Sequence, residues 1–209
     1  MATQITLIHG DATNHGRAAD LIITDPPYEM PGEELARILD CYDAPHLVLI
    51  TTMRQLLDFL PRTDWRLNFD FVLDGVAPKK SKSLQQPNYT HQTGVYLTRP
   101  GIKSVFNRKH RQRSDVFEAN GYWPTIFHAP RQNMQEHGHR KNPIAITDLL
   151  GSFDVKSVVD PFAGSGTTAL AAFELGIKVA VIERNDETFE QLHAVLRFMS
   201  VNGIEVING

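Results

Sequence analysis

The pattern of apolar and polar residues divides the chain into short strands and helices. Residues 21–24 and 46–52 are near-continuous apolar runs, typical of strands that are covered on both faces. Between them, Leu35, Ile38 and Leu39 share one helical face, which predicts a short amphipathic helix. The other predicted strands are residues 4–9, 68–76, 94–98, 156–160, 178–182 and, as an edge strand, 204–207. The other predicted helices are residues 54–60, 143–150, 167–175 and 186–201.

Strands alternate with helices at both ends of the chain, which predicts an α/β fold with a mostly parallel sheet. The 209 residues suit one domain, and the 42% of hydrophobic residues suffice for a large core. Ligands of such sheets bind beyond the carboxyl ends of the strands. We therefore expect functional residues directly after strands, where Asp25 and residues 160–168 lie.

Composition narrows the class of protein. No apolar run approaches the ~20 residues of a membrane span, and the first residues do not resemble a secretory signal. A single cysteine, Cys41, fits a reducing cytoplasm, and we expect it to be a small buried residue. The nearest pair of histidines, His137 and His139, has no further ligand at metal-site spacing, so no metal is expected.

Basic residues concentrate in the middle of the chain. Residues 79–141 hold 12 of the 21 Lys and Arg residues and only three acidic ones, which makes this segment strongly basic and the remainder acidic. Such asymmetry favours a surface for a polyanion such as nucleic acid over a solvated loop with incidental charge. Within it, residues 99–140 form an irregular insert that also contains aromatic residues. The candidate phosphate or base contacts are Lys79, Lys80, Lys82, Arg108, Lys109, Arg111 and Arg113.

Asp25-Pro26-Pro27-Tyr28 follows the apolar run at residues 21–24. Each proline fixes φ, and the residue before a proline is held extended, so this turn is stiff and its carbonyl groups have fixed directions. A carboxylate, oriented carbonyls and an aromatic face can together bind a planar group that bears an amine. The alternative is an ordinary surface turn.

Residues 160–168 (DPFAGSGTT) connect a predicted strand to a predicted helix. Gly164 and Gly166 allow a sharp turn and close approach of a ligand, and Glu183, 19 residues after Gly164, can bind ribose hydroxyls. A nucleotide-triphosphate loop would need a lysine that is missing here. Three interpretations of this loop stay open. It could be a dinucleotide site, whose pattern is formally matched by Gly164, Gly166 and Ala169, an S-adenosylmethionine site, or a plain turn.

The DPPY and DPFAGSGTT motifs together resemble those of the amino-methyltransferases of DNA. The catalytic motif comes first and the cofactor motif last, about 135 residues later, an order that resembles their circularly permuted β class. The resemblance implies the fold of S-adenosylmethionine-dependent methyltransferases, a mixed seven-stranded sheet with helices on both faces. It also implies double-stranded DNA as the substrate, S-adenosylmethionine as the cofactor and residues 99–140 as the target-recognition region. Related enzymes often dimerise, which makes a homodimer one expected arrangement.

The same resemblance implies residue roles. Asp25 and the Pro26 carbonyl would accept hydrogen bonds from the target amine, Pro27 completes the catalytic motif, and Tyr28 would stack on the flipped base. The implied cofactor residues are Asp11, Asp160, Phe162, Ala163, Gly164, Ser165, Gly166, Thr167 and Glu183. A capping role is the alternative for Asp11. The chain departs from the family pattern before Pro143, where Lys141 lies two residues ahead of the proline instead of one.

Asp25 at the first position of DPPY resembles the adenine-N6 members more than the cytosine-N4 members, so adenine is the expected target and cytosine-N4 the first alternative. Methylation of a cytosine ring carbon would need a nucleophilic cysteine, for which only Cys41 is present. A methyltransferase that acts on RNA and a non-catalytic subunit that binds the cofactor or DNA are further alternatives.

Overall fold

A computed structural model describes residues 4–79, 85, 89–107, 125–128, 143–199 and 204–209. Its strands are β1 (Ile5–His9), β2 (Leu21–Thr24), β3 (His46–Thr51), β4 (Arg66–Lys79), β5 (Tyr89–Thr98), β6 (Ile126–His128), β7 (Ser157–Asp160), β8 (Lys178–Glu183) and β9 (Ile204–Asn208). They form one sheet in the order β6-β4-β5-β3-β2-β7-β8-β1-β9. The first and last parts of the chain therefore meet in the middle of the sheet.

The sheet is mixed but mostly parallel. β5 pairs antiparallel with β3 and β4, and the other six pairings are parallel. Every residue of β2 and β3 is buried, which explains why their sequences are almost uninterrupted apolar runs. The central strands are thus covered by helices on both faces.

The helices are α1 (Gly32–Leu39), α2 (Met53–Phe59), α3 (Pro143–Leu150), α4 (Thr167–Leu175) and α5 (Asp186–Met199). Side chains of a strand alternate between the two faces of the sheet, and β2 shows the consequence. Leu21 and Ile23 belong to one core cluster, which α3, α4 and α5 cover. Ile22 belongs to the other, to which α1 and α2 contribute Leu35 and Leu56. Among the described residues, none of the helices has both the length and the apolar character needed to cross a bilayer.

The predicted α/β architecture is confirmed, and each of the seven strands expected for the main sheet is present. The described sheet has two further strands at its edges. β9 matches the edge strand predicted at residues 204–207, whereas β6 was not predicted because its three residues carry no periodicity. The expectation that Cys41 is buried is wrong, since its side chain is exposed just beyond α1.

Part of the basic insert belongs to the body of the fold. The Asn107 N–H donates to the Ser152 carbonyl at 2.7 Å, and the Asp154 N–H donates to the Val105 carbonyl at 3.0 Å. The Phe106 ring packs edge-on against Phe153 with centroids 5.5 Å apart. Strand β6, which also lies within the insert, extends the sheet beside β4. The described ends of the insert therefore have a structural role.

Gly32, the first residue of α1, lies against the backbone of α2. Its N–H donates to Asp58 Oδ2 at 2.5 Å, and a Cβ on Gly32 would lie 2.4 Å from the Asp58 carbonyl carbon. Because that neighbour is backbone, we expect Gly32→Ala to lower the free energy of unfolding by about 1–3 kcal/mol, measured by urea denaturation. Glu33→Ala, an exposed change one residue later, is the control and should cost less than about 0.5 kcal/mol. Equal stabilities for the two variants would contradict this packing.

Candidate active site

Four acidic residues lie at the carboxyl ends of four adjacent parallel strands. β2, β7, β8 and β1 are consecutive in the sheet. Asp25 follows β2, Asp160 and Glu183 are the last residues of β7 and β8, and Asp11 lies two residues after β1. Because the strands are parallel, all four acids lie at one edge of the sheet, where α/β proteins bind ligands.

A cavity of about 840 Å³ opens at this edge. Twelve of the thirteen predicted catalytic and cofactor residues line it, namely Asp11, Asp25, Pro26, Pro27, Tyr28, Asp160, Phe162, Ala163, Gly164, Ser165, Thr167 and Glu183. The exception is Gly166, the last residue before α4. The two motifs, far apart in sequence, thus share one cavity.

The DPPY turn is closed by a backbone hydrogen bond from the Met30 N–H to the Pro27 carbonyl at 2.9 Å. Tyr28 is therefore the second residue of a four-residue turn. Gln55, from the first turn of α2, donates from Nε2 to the Pro27 carbonyl at 2.8 Å and to the Met30 carbonyl at 3.0 Å. Both ends of the turn are thus attached to the same side chain.

The Tyr28 hydroxyl lies between Asp25 and Gln92. It forms a side-chain hydrogen bond with Asp25, and Gln92 Nε2 donates to it. Burial, and then the charge of Asp25, raise the pKa of Tyr28 far above its usual range. The hydroxyl therefore stays protonated and acts as a donor to the Asp25 carboxylate.

Asp160 connects the two motifs directly. Its Oδ1 accepts from Thr24 Oγ1 at 2.7 Å and from the Phe162 N–H at 3.0 Å. The side chain is almost completely buried, at 3% exposure. Burial raises the pKa of Asp160 to about 6 although Thr24, Thr168 and the Phe162 N–H stabilise the ionised form. The charge of nearby Asp25 adds to the increase.

The glycine loop is held by backbone conformation and by Glu183. Gly164 has φ +50° and Gly166 has φ +77°, conformations that side-chain-bearing residues rarely adopt. A Cβ on Gly166 would also lie 2.1 Å from Leu192 Cδ1. The Glu183 carboxylate accepts from the Gly164 N–H at 2.9 Å and from the Asn185 N–H at 2.8 Å. Since each carboxylate oxygen can accept a second hydrogen bond, Glu183 still has acceptor capacity at the cavity wall.

The position of Asp11 is compatible with both roles predicted for it, capping and cofactor binding. Its Oδ1 accepts from the Thr13 N–H at 2.9 Å and from Thr13 Oγ1 at 2.6 Å, so it caps the short 3-10 turn that follows β1. It also lines the cavity. The hydrogen bonds from Thr13, helped by the positive charges of Arg184 and Arg37, lower the pKa of Asp11. Asp11 is therefore an ionised acceptor at the wall of the cavity.

Sequence reasoning missed Gln55, Gln92 and Thr24, which support the site from outside the motifs. One signal was present, because Thr52 and Gln55 have the Ser/Thr-x-x-Glu/Gln spacing of a helix capping box. Thr52 Oγ1 does accept from the Gln55 N–H at 3.2 Å. The Gln55 side chain, however, is directed to the DPPY turn, which the local pattern does not predict.

The predicted DNA contacts fall largely outside the described residues. Lys79 ends β4, and the other six predicted basic residues, like His137 and His139, belong to segments that the structure does not describe. Within the described ranges, no group of three His, Cys, Asp or Glu residues is arranged to hold a metal ion.

A family model described as DNA methylase, for N6 and N4 methyltransferases, matches residues 73–194. The chain belongs to this DNA methylase family. The match begins in β4 and contains the glycine loop and Glu183, whereas the DPPY turn lies ahead of it. A search of curated proteins finds no match.

Solved structures share the fold of this DNA methylase. M1.HpyAVI in complex with S-adenosylmethionine is 22% identical and has a TM-score of 0.70, over 92% of this chain and 100% of that one. TTHA0409 of Thermus thermophilus, complexed with S-adenosyl-L-methionine, is 18% identical with a TM-score of 0.72, over 100% and 99%. The cytosine-N4-specific PvuII DNA methyltransferase is 14% identical with a TM-score of 0.68, over 98% and 96%. The fold is that of the S-adenosylmethionine-dependent methyltransferases, as predicted.

The raised pKa of Asp160 predicts a pH-dependent stability of the methylase. A folded-state pKa of about 6 lies above the unfolded value of 3.8, so the folded state holds this proton more tightly. The stabilisation from the protonated carboxyl is complete below about pH 4, is lost as the pH rises to about 6 and does not change further above that. The loss is on the order of 3 kcal/mol.

Asp160→Asn should remove this pH-dependent contribution to the free energy of unfolding. We expect the difference in unfolding free energy between wild type and Asp160→Asn, measured in urea from pH 4 to pH 8, to shrink or change sign across that window. Asp154→Asn, which removes an exposed carboxyl, controls for the loss of one negative charge. Wild-type and Asp160→Asn profiles that run parallel would show that Asp160 does not titrate in this range.

Proposed function

We propose that the protein transfers a methyl group from S-adenosylmethionine to the exocyclic N6 amine of adenine in double-stranded DNA. One observation carries the proposal, namely that the DPPY turn and the glycine loop line the same cavity. Membership of the DNA methylase family supports a methyl transfer to DNA. For this reaction the cavity must hold S-adenosylmethionine beside the exocyclic amine of the target base.

The residues of the cavity fit S-adenosylmethionine. Glu183 has acceptor capacity for the two ribose hydroxyls, and Gly164 leaves open space where a side chain would intrude. Phe162 offers an apolar surface in the cavity wall, and Asp11 is an ionised acceptor suited to the adenine amine. When bound, the cofactor supplies an electrophilic methyl group on a sulfonium. M1.HpyAVI and TTHA0409 share this fold and were crystallised with S-adenosylmethionine.

The catalytic turn would bind the target base. The Asp25 carboxylate and the Pro26 carbonyl accept hydrogen bonds from the amine, which directs the nitrogen lone pair toward the methyl donor. These acceptors also stabilise the positive charge that develops on the nitrogen, and most of the rate follows from positioning. Tyr28 offers its ring as a stacking surface for the base. The base must leave the duplex at a cost of a few kcal/mol, which stacking partly offsets.

The basic insert is the proposed DNA surface. The seven basic residues singled out above, in the segments around residues 79–82 and 108–113, would contact phosphates or base edges. Residues 99–140 would contain the target-recognition region of a single methyltransferase domain. A homodimer and a location in the cytoplasm of a bacterium or its phage complete the proposal.

Cytosine-N4 methylation is the second candidate. It is favoured by the likeness to the PvuII DNA methyltransferase, which has the same fold and is cytosine-N4-specific. Both reactions need the same hydrogen-bond acceptors around an exocyclic amine. Their chemistry is therefore nearly identical, and they differ in the base that carries the amine. Asp25 as the first residue of DPPY is the feature that favours adenine.

The target base is identified by mass spectrometry of the methylated nucleoside. Mixed-sequence unmethylated DNA is incubated with the protein and S-adenosylmethionine, digested to nucleosides and analysed by mass spectrometry. We expect N6-methyladenine above the level of a reaction that lacks the protein. A reaction that yields N4-methylcytosine alone would reject adenine and support the second candidate, whereas no methylated base would reject both.

The role of Asp25 is tested by Asp25→Ala. Because Asp25 would bind the target amine and not the cofactor, we expect methyl transfer to fall by at least about 100-fold. The dissociation constant for S-adenosylmethionine, measured by calorimetry, should change less than about threefold. Glu183→Ala is the matched comparison and should weaken cofactor binding. A loss of cofactor affinity as large as the loss of rate in Asp25→Ala would contradict its assignment to the substrate.

A further inference from the structure

We propose that Gln55 is a positioning residue for methyl transfer, which holds the Pro27–Met30 turn so that Tyr28 and Asp25 meet the target base in the reactive geometry. This inference rests on the proposed function. It concerns a residue outside both motifs, on a helix that the family match at residues 73–194 does not include.

The Gln55 amide spans the turn from end to end. Its two N–H groups are used on the Pro27 and Met30 carbonyls, at 2.8 and 3.0 Å. Its Oε1 accepts from Thr51 Oγ1 at 2.6 Å. Because the two backbone carbonyls can only accept, they fix which end of the amide carries the donors. The side chain is 3% exposed. A buried amide with all its donors used is rigid, and so are the two carbonyls that it holds.

Gln55 does not touch the space where substrate would lie. Pro27, Tyr28 and Met30 line the cavity, whereas Gln55 lies behind them and is absent from its lining. Its backbone N–H, which is separate from the side-chain amide, donates to Thr52 Oγ1 at 3.2 Å at the start of α2. In a capping box the glutamine side chain accepts from the N–H of the N-cap residue, which is Thr52 here. In this structure the Nε2 donors of Gln55 are used instead on the Pro27 and Met30 carbonyls.

The turn transmits this position to the reacting groups. Tyr28 is the residue after Pro27, and its hydroxyl forms a hydrogen bond with Asp25. A change in the path of the turn therefore moves the stacking ring and the Asp25 acceptor together. A misplacement of about 1 Å at reacting groups can cost about 100-fold in rate. Loss of the Gln55 donors should accordingly appear in the rate of methyl transfer more than in the binding of the cofactor.

The test replaces Gln55 by methionine, which keeps the length of the side chain but removes the donors. With labelled S-adenosylmethionine and mixed-sequence unmethylated DNA, we expect kcat per cofactor-binding site to fall by about 10- to 100-fold. The dissociation constant for S-adenosylmethionine should stay within about threefold of wild type. Gln55→Glu is the second variant, because it keeps an acceptor for Thr51 and faces the two carbonyls with an oxygen in place of the donors.

Thr52→Ala is the matched control. It removes the cap at the start of α2 but leaves the Gln55 amide able to reach the turn. We expect it to lower the melting temperature while kcat per cofactor-binding site stays close to wild type. If the contribution of Gln55 were only to stability, its variants and Thr52→Ala would show the same kcat at matched losses of melting temperature, and the proposal would be overturned.

A double-mutant cycle tests whether Gln55 acts through Tyr28 or independently of it. In single-turnover assays, Gln55→Met should slow wild type but have little further effect on Tyr28→Ala, whereas the effects of Thr52→Ala and Tyr28→Ala should be independent. If the wild type is active and the effects of Gln55→Met and Tyr28→Ala are independent, the proposed role of Gln55 is overturned while the proposed function stands. A wild type that transfers no methyl group to DNA would overturn the proposed function, and the role of Gln55 with it.

Discussion

The hydrogen bond from Thr24 to Asp160 is the contact around which the site is organised. It joins the last residues of β2 and β7, strands that are neighbours in the sheet although their residues are 136 positions apart in sequence. Both partners are buried, so the bond is shielded from water and costly to leave unmade. The DPPY turn begins one residue after Thr24, and the glycine loop begins at Asp160. The parallel pairing of β2 with β7 brings the two motifs together, and this pair of side chains links them at the strand ends.

The site combines stiff local segments with supports from other elements. Prolines restrict the DPPY turn from within, and glycines at positive φ allow the sharp path of the glycine loop. Gln55 from α2 and Gln92 from β5 hold the DPPY turn from outside, and the Glu183 carboxylate does the same for the glycine loop. Glu183 thus serves two purposes, since it holds the loop and also faces the cavity. Such support is what a site needs when the rate depends on orientation.

Much of this could be predicted from the sequence, for physical reasons that particular residues make clear. Strands such as β2 are buried on both faces, and the resulting apolar runs locate them. The cavity-lining loops were identified because acids, prolines and glycines directly follow predicted strands and because the two motifs together resemble those of the DNA amino-methyltransferases. Gln55 could not be identified, because its partners are backbone carbonyls of a segment 25 to 28 residues away. Cys41 was misjudged because a cysteine between a helix and a strand has no periodicity to indicate its side.

The strand order also has a consequence for how the protein folds. β1 pairs with β8 and β9, and β2 pairs with β7, so one half of the sheet joins strands from the first part of the chain to strands from the last part. Parallel pairings over such separations form slowly, because a long loop must close before they contribute any contacts. On the ribosome, the DPPY turn is synthesised early and β2 can pair with β3, but the pairing of β2 with β7 must wait until that late strand emerges. We therefore expect the cavity to be among the last parts of the molecule to form, and a bound nucleoside ligand to stabilise the pairings that close it.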